Sequence, residues 1–307
     1  MIYFIVNRTS KTGSGIKIWK KIREILREKG VLYKASFTRH KGHATELAQK
    51  ISELPNDTIK LVAIGGDGTI NEIINGISDF SKIIFSVIPT GSGNDFVRGI
   101  GMKGTLTERI ERIIKTENIR TIDIGEVIHD DDARPSYFAI SSGVGLDALV
   151  CKKALTSKQK KVLNFFHLGK LTYLLLTVES LFSMETVSVK VCFDRQEEIR
   201  FNKLIFAAGM NFVYEGGGVP MAPGADASDG RLSCCIAHGI SKSRAFVSLP
   251  FLVAARHEKM DCFYIKDCTE CTLEFEKKIV LHADGEYIDD VSKVRLRCLP
   301  GMLKVIL

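Results

Sequence analysis

The chain has 307 residues, of which 45% are hydrophobic and 26% charged, with only seven prolines. That composition excludes a disordered, collagen-like or low-complexity protein, and the length predicts two domains of about 120 to 180 residues. A formal net charge of +7 suits an anionic partner, whether phosphates, nucleic acid or an acidic membrane surface, without choosing among them.

The first apolar run, Ile2 to Val6, has no charged lead-in and no small-residue cleavage site, so it predicts a first strand and not an export signal. A small-residue loop, NRTSKTGSG, follows it. Ile16, Trp19, Ile22, Ile25 and Leu26 then recur on one helical face among lysines and arginines. Tyr33 to Phe37 reads as a second strand, and Ala44, Leu47, Ala48 and Ile51 mark a second helix closed off by Pro55. The run from Ile59 to Ile64 is almost continuously apolar, as a central parallel strand buried on both faces would be, and Ile83 to Ile88 repeats the pattern before Pro89. This alternation predicts a layered α/β domain over residues 1–125.

Beyond residue 125 the texture changes. Strand-like runs (SYFAIS, TVSVKVCF, NKLIFAAGM, RLSCCIA, CTLEFE, KVRLRCL) arrive between Gly, Asp and Asn turns, which predicts a mostly β domain over 126–290. Helical inserts are expected near 156–182 and 242–258, and 291–307 is expected to be a C-terminal segment packing back on the first domain. There is no internal repeat and no low-complexity linker.

Three loops carry the chemistry. GGDGT follows the third strand and opens a helix, which places it at the carboxyl edge of the sheet, where open α/β sheets bind ligands. Gly65, Gly66 and Gly68 allow backbone N–H groups close to an anion, and a helix N-terminus adds a favourable dipole. Asp67 among them would repel a naked phosphate, so it makes sense beside a divalent cation or its water shell. The alternative is a tight turn with Thr69 as helix N-cap. PTGSGNDFVRGIG, Pro89 to Gly101, repeats the arrangement after the next strand, with Ser92 and Asp95 as hydroxyl and carboxylate. Two such loops after neighbouring strands would converge on one site, and the NRTSKTGSG loop lies at the same edge. None is a Walker A or a dinucleotide-fold sequence.

The eight cysteines are scattered and favour a reducing compartment. Cys268 and Cys271 have zinc-knuckle spacing, but no second pair follows at a suitable interval, so buried or edge-strand thiols are the preferred reading.

GGDGTINEIING, PTGSGNDFVRGIG, IDIG (Ile122 to Gly125), GGGVPMAPGADASDGRL (Gly216 to Leu232) and ADGE (Ala283 to Glu286), in that order along nearly the whole chain, resemble the diacylglycerol kinase catalytic-domain family. These are soluble bacterial lipid kinases, to which diacylglycerol, sphingosine and ceramide kinases are related. GGDGT alone is shared with NAD kinases, whereas the G-[ST]-x-N-D-F continuation and the late D-G-E separate the two. The resemblance implies an α/β N-terminal nucleotide-binding domain plus a C-terminal β-sandwich domain, with the last strand returning to the first domain. It further implies an ATP-dependent lipid kinase using Mg²⁺, most simply converting diacylglycerol to phosphatidic acid. Sphingoid bases, ceramide, monoacylglycerol, phosphatidylglycerol and prenols remain open as acceptors.

By the same resemblance ATP is contacted by Gly65 to Asn71 (Gly65, Gly66, Asp67, Gly68, Thr69, Ile70, Asn71), by Thr38 and by Ser92, and Asn7, Ser10, Asn94 and Asp95 complete the set. Glu286 matches the proposed general base, with Asp284 and Asp67 as acidic neighbours in the catalytic group. Phosphoryl transfer needs in-line positioning and charge neutralisation, so one carboxylate near the alcohol and others holding Mg²⁺ suffice. Read without the family, ADGEYID is a D-G hairpin turn. Asp229 matches a side-chain ligand of a structural Mg²⁺, with Asp226 and Arg231 flanking it through backbone carbonyls; otherwise this is an Asp-rich surface turn. Arg8 stands where the family usually has proline, and Ser92 replaces the commoner threonine.

The segment from Lys152 to Phe182 opens with closely spaced lysines and turns apolar, with Lys170 and Glu179 inside it. It is too interrupted to span a bilayer, but it could lie on an anionic surface as an amphipathic helix or pack on the sandwich. A cytoplasmic protein with peripheral membrane association, and a homodimer as in related enzymes, are the resulting expectations. A nucleic-acid partner is not expected, because aromatics are not interleaved with the basic clusters. A nucleotide sensor that kept the fold is the reading from another class, against which Asp67, Asp284 and Glu286 together argue.

Overall fold

The computed structural model describes residues 1–130, 134–156 and 169–307. Residues 157–168, which hold most of the lysine-rich lead-in of the first expected insert, lie outside the described residues. The chain forms two compact units, one of Met1–Ile124 with Leu299–Leu307 and one of Gly125–Cys298.

In the first unit, β1 (Ile2–Val6), β2 (Tyr33–Phe37), β3 (Ile59–Gly65) and β4 (Ile83–Pro89) alternate with α1 (Ser14–Glu28), α2 (His43–Ser52), α3 (Asp67–Ile74), α4 (Asp95–Gly99) and α5 (Leu106–Lys115). β1 pairs in parallel with β2 and β3, and β3 pairs in parallel with β4. The apolar runs are continuous because these central strands are covered on both faces; every residue of β1 is buried. Phe4 lies with its ring centroid 5.2 Å from that of Trp19 on α1 and 6.2 Å from Tyr33 on β2. Ile22, Leu26, Ile64, Ile88 and Ile113 complete that core. α5 starts on a reciprocal cap, in which Thr105 and Glu108 each accept from the other's backbone N–H.

The second unit is antiparallel and sandwich-like. It takes in the end of β5 (Ile119–His129), then β6 (Ser136–Phe138), β7 (Ser141–Gly145), β8 (Val187–Phe193), β9 (Glu197–Leu204) and β10 (Phe206–Met210). A short ribbon, β11 (Tyr214–Glu215) with β12 (Val219–Pro220), precedes β13 (Leu232–Ala237), β14 (Phe263–Cys268), β15 (Glu270–Ala283) and β16 (Glu286–Ile306). Strand order runs β14-β13-β10-β7-β15, with β8 and β9 leaving from β15. A register shift between Glu274 and Ile279 divides β15, so that Cys271–Phe275 pair with β8 while Leu281–Ala283 pair with β7. One core includes Phe138, Val191, Phe193, Leu273 and Leu296. A second lies under α6 (Leu146–Thr156), α7 (Gly169–Ser183) and α8 (Lys242–Val253), around Leu146, Leu181, Phe206 and Leu252.

The last strand returns to the first unit, as the family pattern implies. β16 stays with β15 to Arg297, and only then do Lys304 and Val305 pair in parallel with Ile84 and Phe85 of β4. The IDIG motif serves this return within each unit. Asp123 accepts a 2.7 Å bond from the Gly301 N–H. Gly125 must be bare, since a Cβ there would stand 2.0 Å from the Phe138 ring. Phe4→Ala empties a fully buried aromatic site and is expected to cost about 3–5 kcal/mol in denaturant or thermal unfolding.

Candidate functional site

In the order β2-β1-β3-β4 the chain leaves β1 toward one side and returns on the other, so the carboxyl ends of β1 and β3 form a topological switch point. The three small-residue loops meet there. Asn7, at the end of β1, donates from Nδ2 to Thr69 Oγ1 at 2.9 Å, and its Oδ1 accepts from the Thr9 N–H and hydroxyl at 3.1 Å each. Ser10 Oγ donates to the Thr90 carbonyl at 2.9 Å and lies 2.5 Å from Thr90 Oγ1. Thr90 N–H in turn donates to the Gly65 carbonyl at 2.8 Å.

The glycines are required by close approach. A Cβ on Gly65 would fall 2.6 Å from Thr69 Oγ1. A Cβ on Gly66 would stand 3.0 Å from the Gly91 Cα, and one on Gly91 2.7 Å from the Gly66 Cα, so the second and third loops touch backbone to backbone. Asp67 bridges the same two loops. Its carboxylate accepts from the Asp95 and Phe96 N–H groups at 3.2 Å each, at the start of α4, where the first backbone amides of a helix lack intrahelical acceptors. Asp95 is buried and ion-paired with Arg98. Asn94 takes a left-handed conformation (φ 55°) and donates to the Gly91 carbonyl at 3.1 Å.

Other expected contacts fall as follows. Thr38 is half-buried just past β2, held by a 3.0 Å bond to the Val6 carbonyl, and Ser92 is exposed on the third loop. Thr69 is buried, and the N-cap position that the tight-turn alternative gives it belongs to Gly66. The Ile70 side chain is core and its N–H donates to the Gly66 carbonyl, so it supports the loop from beneath. Gly68 and Asn71 are half-buried on α3. Arg8 places its guanidinium 6.0 Å from the Phe37 ring centroid, a stacking role in place of the family's proline.

In the second unit, Asp284 and Gly285 join β15 to β16 with φ of 48° and 79°, the left-handed pair of a type I′ hairpin, and Ala283 pairs with Glu286. The Asp284 carboxylate accepts from the Ala139, Ile140 and Ser141 N–H groups at 2.7–3.1 Å. It therefore acts by holding the turn that presents the half-buried Glu286. Behind the turn His282 is fully buried, with Nε2 at 3.2 Å from both Asp147 Oδ2 and Glu215 Oε1. Burial pulls its pKa down, but Glu215 and then Asp147 outweigh that and raise it to about 9. These three residues had no local signal, since they are far apart in sequence and meet only through the fold.

Asp226, Asp229 and Arg231 close an exposed turn. Asp226 Oδ1 accepts from the Ser228 N–H and hydroxyl, and Asp229 Oδ1 from the Arg231 N–H at 2.9 Å. On α7 and α8, Phe182, Phe246, Val247, Phe251 and Val253 are 45–64% exposed. Among the described residues no helix is long and apolar enough to cross a membrane.

Residues 1–127 match the model of the diacylglycerol kinase catalytic domain, and residues 140–307 that of the YegS C-terminal NAD kinase beta sandwich-like domain. YtlR of Bacillus subtilis, named for a lipid kinase, is 31% identical over 306 residues, covering 99% of this chain and 98% of its own. A Bacillus anthracis crystal structure titled for a diacylglycerol kinase shares the fold with a TM-score of 0.75 at 21% identity, covering 99% of this chain and 94% of its own. An Archaeoglobus fulgidus NAD kinase in complex with ATP has a TM-score of 0.56 at 11% identity, with coverage of 100% and 94%.

Two outcomes follow from this geometry. His282 has its pKa raised in the folded state, so its stabilisation is complete below its usual value of 6.5 and is lost as pH rises through about 9. The loss should approach 3 kcal/mol, on the order of 1.4 per unit, and chemical denaturation of His282→Gln between pH 6.5 and 9.5 should show a flatter profile. Gly91→Ala should cost about 1–3 kcal/mol by forcing the two loops apart, measurable as a lowered melting temperature.

Proposed function

The chain belongs to the diacylglycerol kinase family of lipid kinases, and on that premise we propose that it transfers the γ-phosphoryl group of ATP to the hydroxyl of a lipid alcohol, with diacylglycerol as acceptor and phosphatidic acid as product. The observation that carries this reading is the convergence of the three small-residue loops at the switch point of the first unit, knitted by Asn7, Ser10 and Asp67. That edge offers backbone amides and bare glycines to a polyphosphate.

Asp67 supplies hard oxygen donors suited to Mg²⁺. When bound, that ion neutralises charge on the phosphoryl oxygens. The protein's own residues do the rest. The loops orient the phosphates, and Glu286 takes the acceptor hydroxyl's proton late in transfer. Asp284 keeps Glu286 in register through its three amide bonds. The oxygen-rich turn of Asp226, Asp229 and Arg231 is assigned to a second, structural Mg²⁺.

A lipid acceptor is supported by the exposed apolar residues of α7 and α8, which lie near Lys242, Arg244 and Arg256. This is the pattern of peripheral docking on an anionic surface.

The test is transfer of labelled γ-phosphate from Mg-ATP to mixed micelles carrying diacylglycerol or another lipid alcohol. Labelled phosphatidic acid is expected. Glu286→Gln should lower kcat about 10²–10⁴-fold with the KM for ATP little changed, whereas Asp67→Asn should raise that KM as well. No labelled product from any lipid alcohol would overturn the reading. Asp229→Ala should abolish any Mg²⁺-dependent rise in melting temperature.

A further inference from the structure

Cys268 closes β14 and Cys271 stands one residue into β15, and the turn between them is pinned by Asp194, whose Oδ1 accepts from the Thr269 N–H and hydroxyl and the Glu270 N–H at 2.7–3.0 Å. Cys234 on β13 faces both. Its Sγ lies 3.4 Å from that of Cys268 and 3.2 Å from that of Cys271, and the three sulfurs all fall within 4.8 Å of one another. All three side chains are buried in the sandwich core, at 3% or less exposure. The Cys-x-x-Cys spacing lacked a partner in the sequence, and the fold supplies one from more than 30 residues upstream.

We propose that Cys234, Cys268 and Cys271 bind one thiophilic d¹⁰ cation, zinc, as a clasp joining β13, β14 and β15. Three thiols turned toward one another in an apolar core gain little from packing, since a thiol is a weak hydrogen-bonding group and an aliphatic side chain would fill the same space better. Tetrahedral Zn–S bonds of about 2.3 Å set the sulfurs about 3.8 Å apart, so an expansion of a few tenths of an ångström admits the ion. The Leu232 carbonyl oxygen, 3.8 Å from Cys268 Sγ, offers the fourth position. Binding breaks three S–H bonds, forms three Zn–S bonds and releases three protons to solvent. The tight spread of the sulfurs suits a single ion and not an iron–sulfur cluster, which takes four cysteines.

The clasp is independent of phosphoryl transfer. The full chain, purified without chelator or metal-affinity tag from zinc-supplemented cells, should carry about one zinc per molecule by plasma mass spectrometry. Exchange with Co²⁺ should give the sulfur-to-metal charge-transfer band and the visible bands of a tetrahedral site. Cys234→Ser should lose both signals, whereas Cys192→Ser, on β8 outside the triad, should keep them. Should Cys234→Ser fail to fold, zinc removal from the wild-type protein must lower its melting temperature, and zinc return must restore it. Less than about a tenth of a zinc per chain with no cobalt bands, or a disulfide between any two of the three by mass spectrometry, would overturn the proposal.

Discussion

The first unit depends on a contact between two stretches of bare backbone. Gly66 and Gly91 meet where any side chain would collide, and this lets the loops after β3 and β4 act as one surface. Asp67 then becomes intelligible. A carboxylate in a loop proposed to receive phosphates is costly unless something compensates its charge, and the amides of Asp95 and Phe96 do so from the neighbouring loop. The residue expected to manage a metal thus also locks the loops together. Any substitution there perturbs geometry as well as charge, which is why comparison of kcat with KM is more informative than loss of activity alone.

The second unit solves a related problem with the same chemistry. A two-residue turn with both φ values positive is stiff, but it does not by itself hold its place against the rest of a sandwich. The Asp284 carboxylate provides that by accepting three consecutive amides, Ala139 to Ser141, where the link from β6 enters β7. The layer behind it is ionic, with His282 charged between Asp147 and Glu215. Removing one partner from such a buried group leaves an uncompensated charge, so the cluster is expected to be intolerant of single changes.

Much of this was legible in the sequence, for identifiable reasons. Central parallel strands such as β1 and β3 are apolar without interruption, α1 has a regular buried stripe at Trp19, Ile22 and Leu26, and loops at a sheet's carboxyl edge declare themselves by their glycines. β9 and β14 did not stand out, because Glu197, Glu198, Arg200, Lys266 and Asp267 break their apolar alternation on strands with exposed positions. The partners of Asp67, the amides under Asp284, the His282 cluster and the third cysteine were illegible for a different reason. Each joins residues far apart in the chain, and no local pattern encodes such a meeting.

The path of β16 bears on how the protein comes to be folded during synthesis. Leu299–Leu307 supplies the strand beside β4, Ile306 enters the first unit's core, and the Arg112 guanidinium holds the Leu307 carbonyl. Those residues are made only after the whole of Gly125–Cys298. While the second unit emerges from the ribosome, β4 is therefore an open edge of an apolar parallel sheet, the kind of edge that pairs with other chains when left uncovered. The first unit leaves the ribosome early and is completed last, so its nascent form is a natural client for chaperones during that interval.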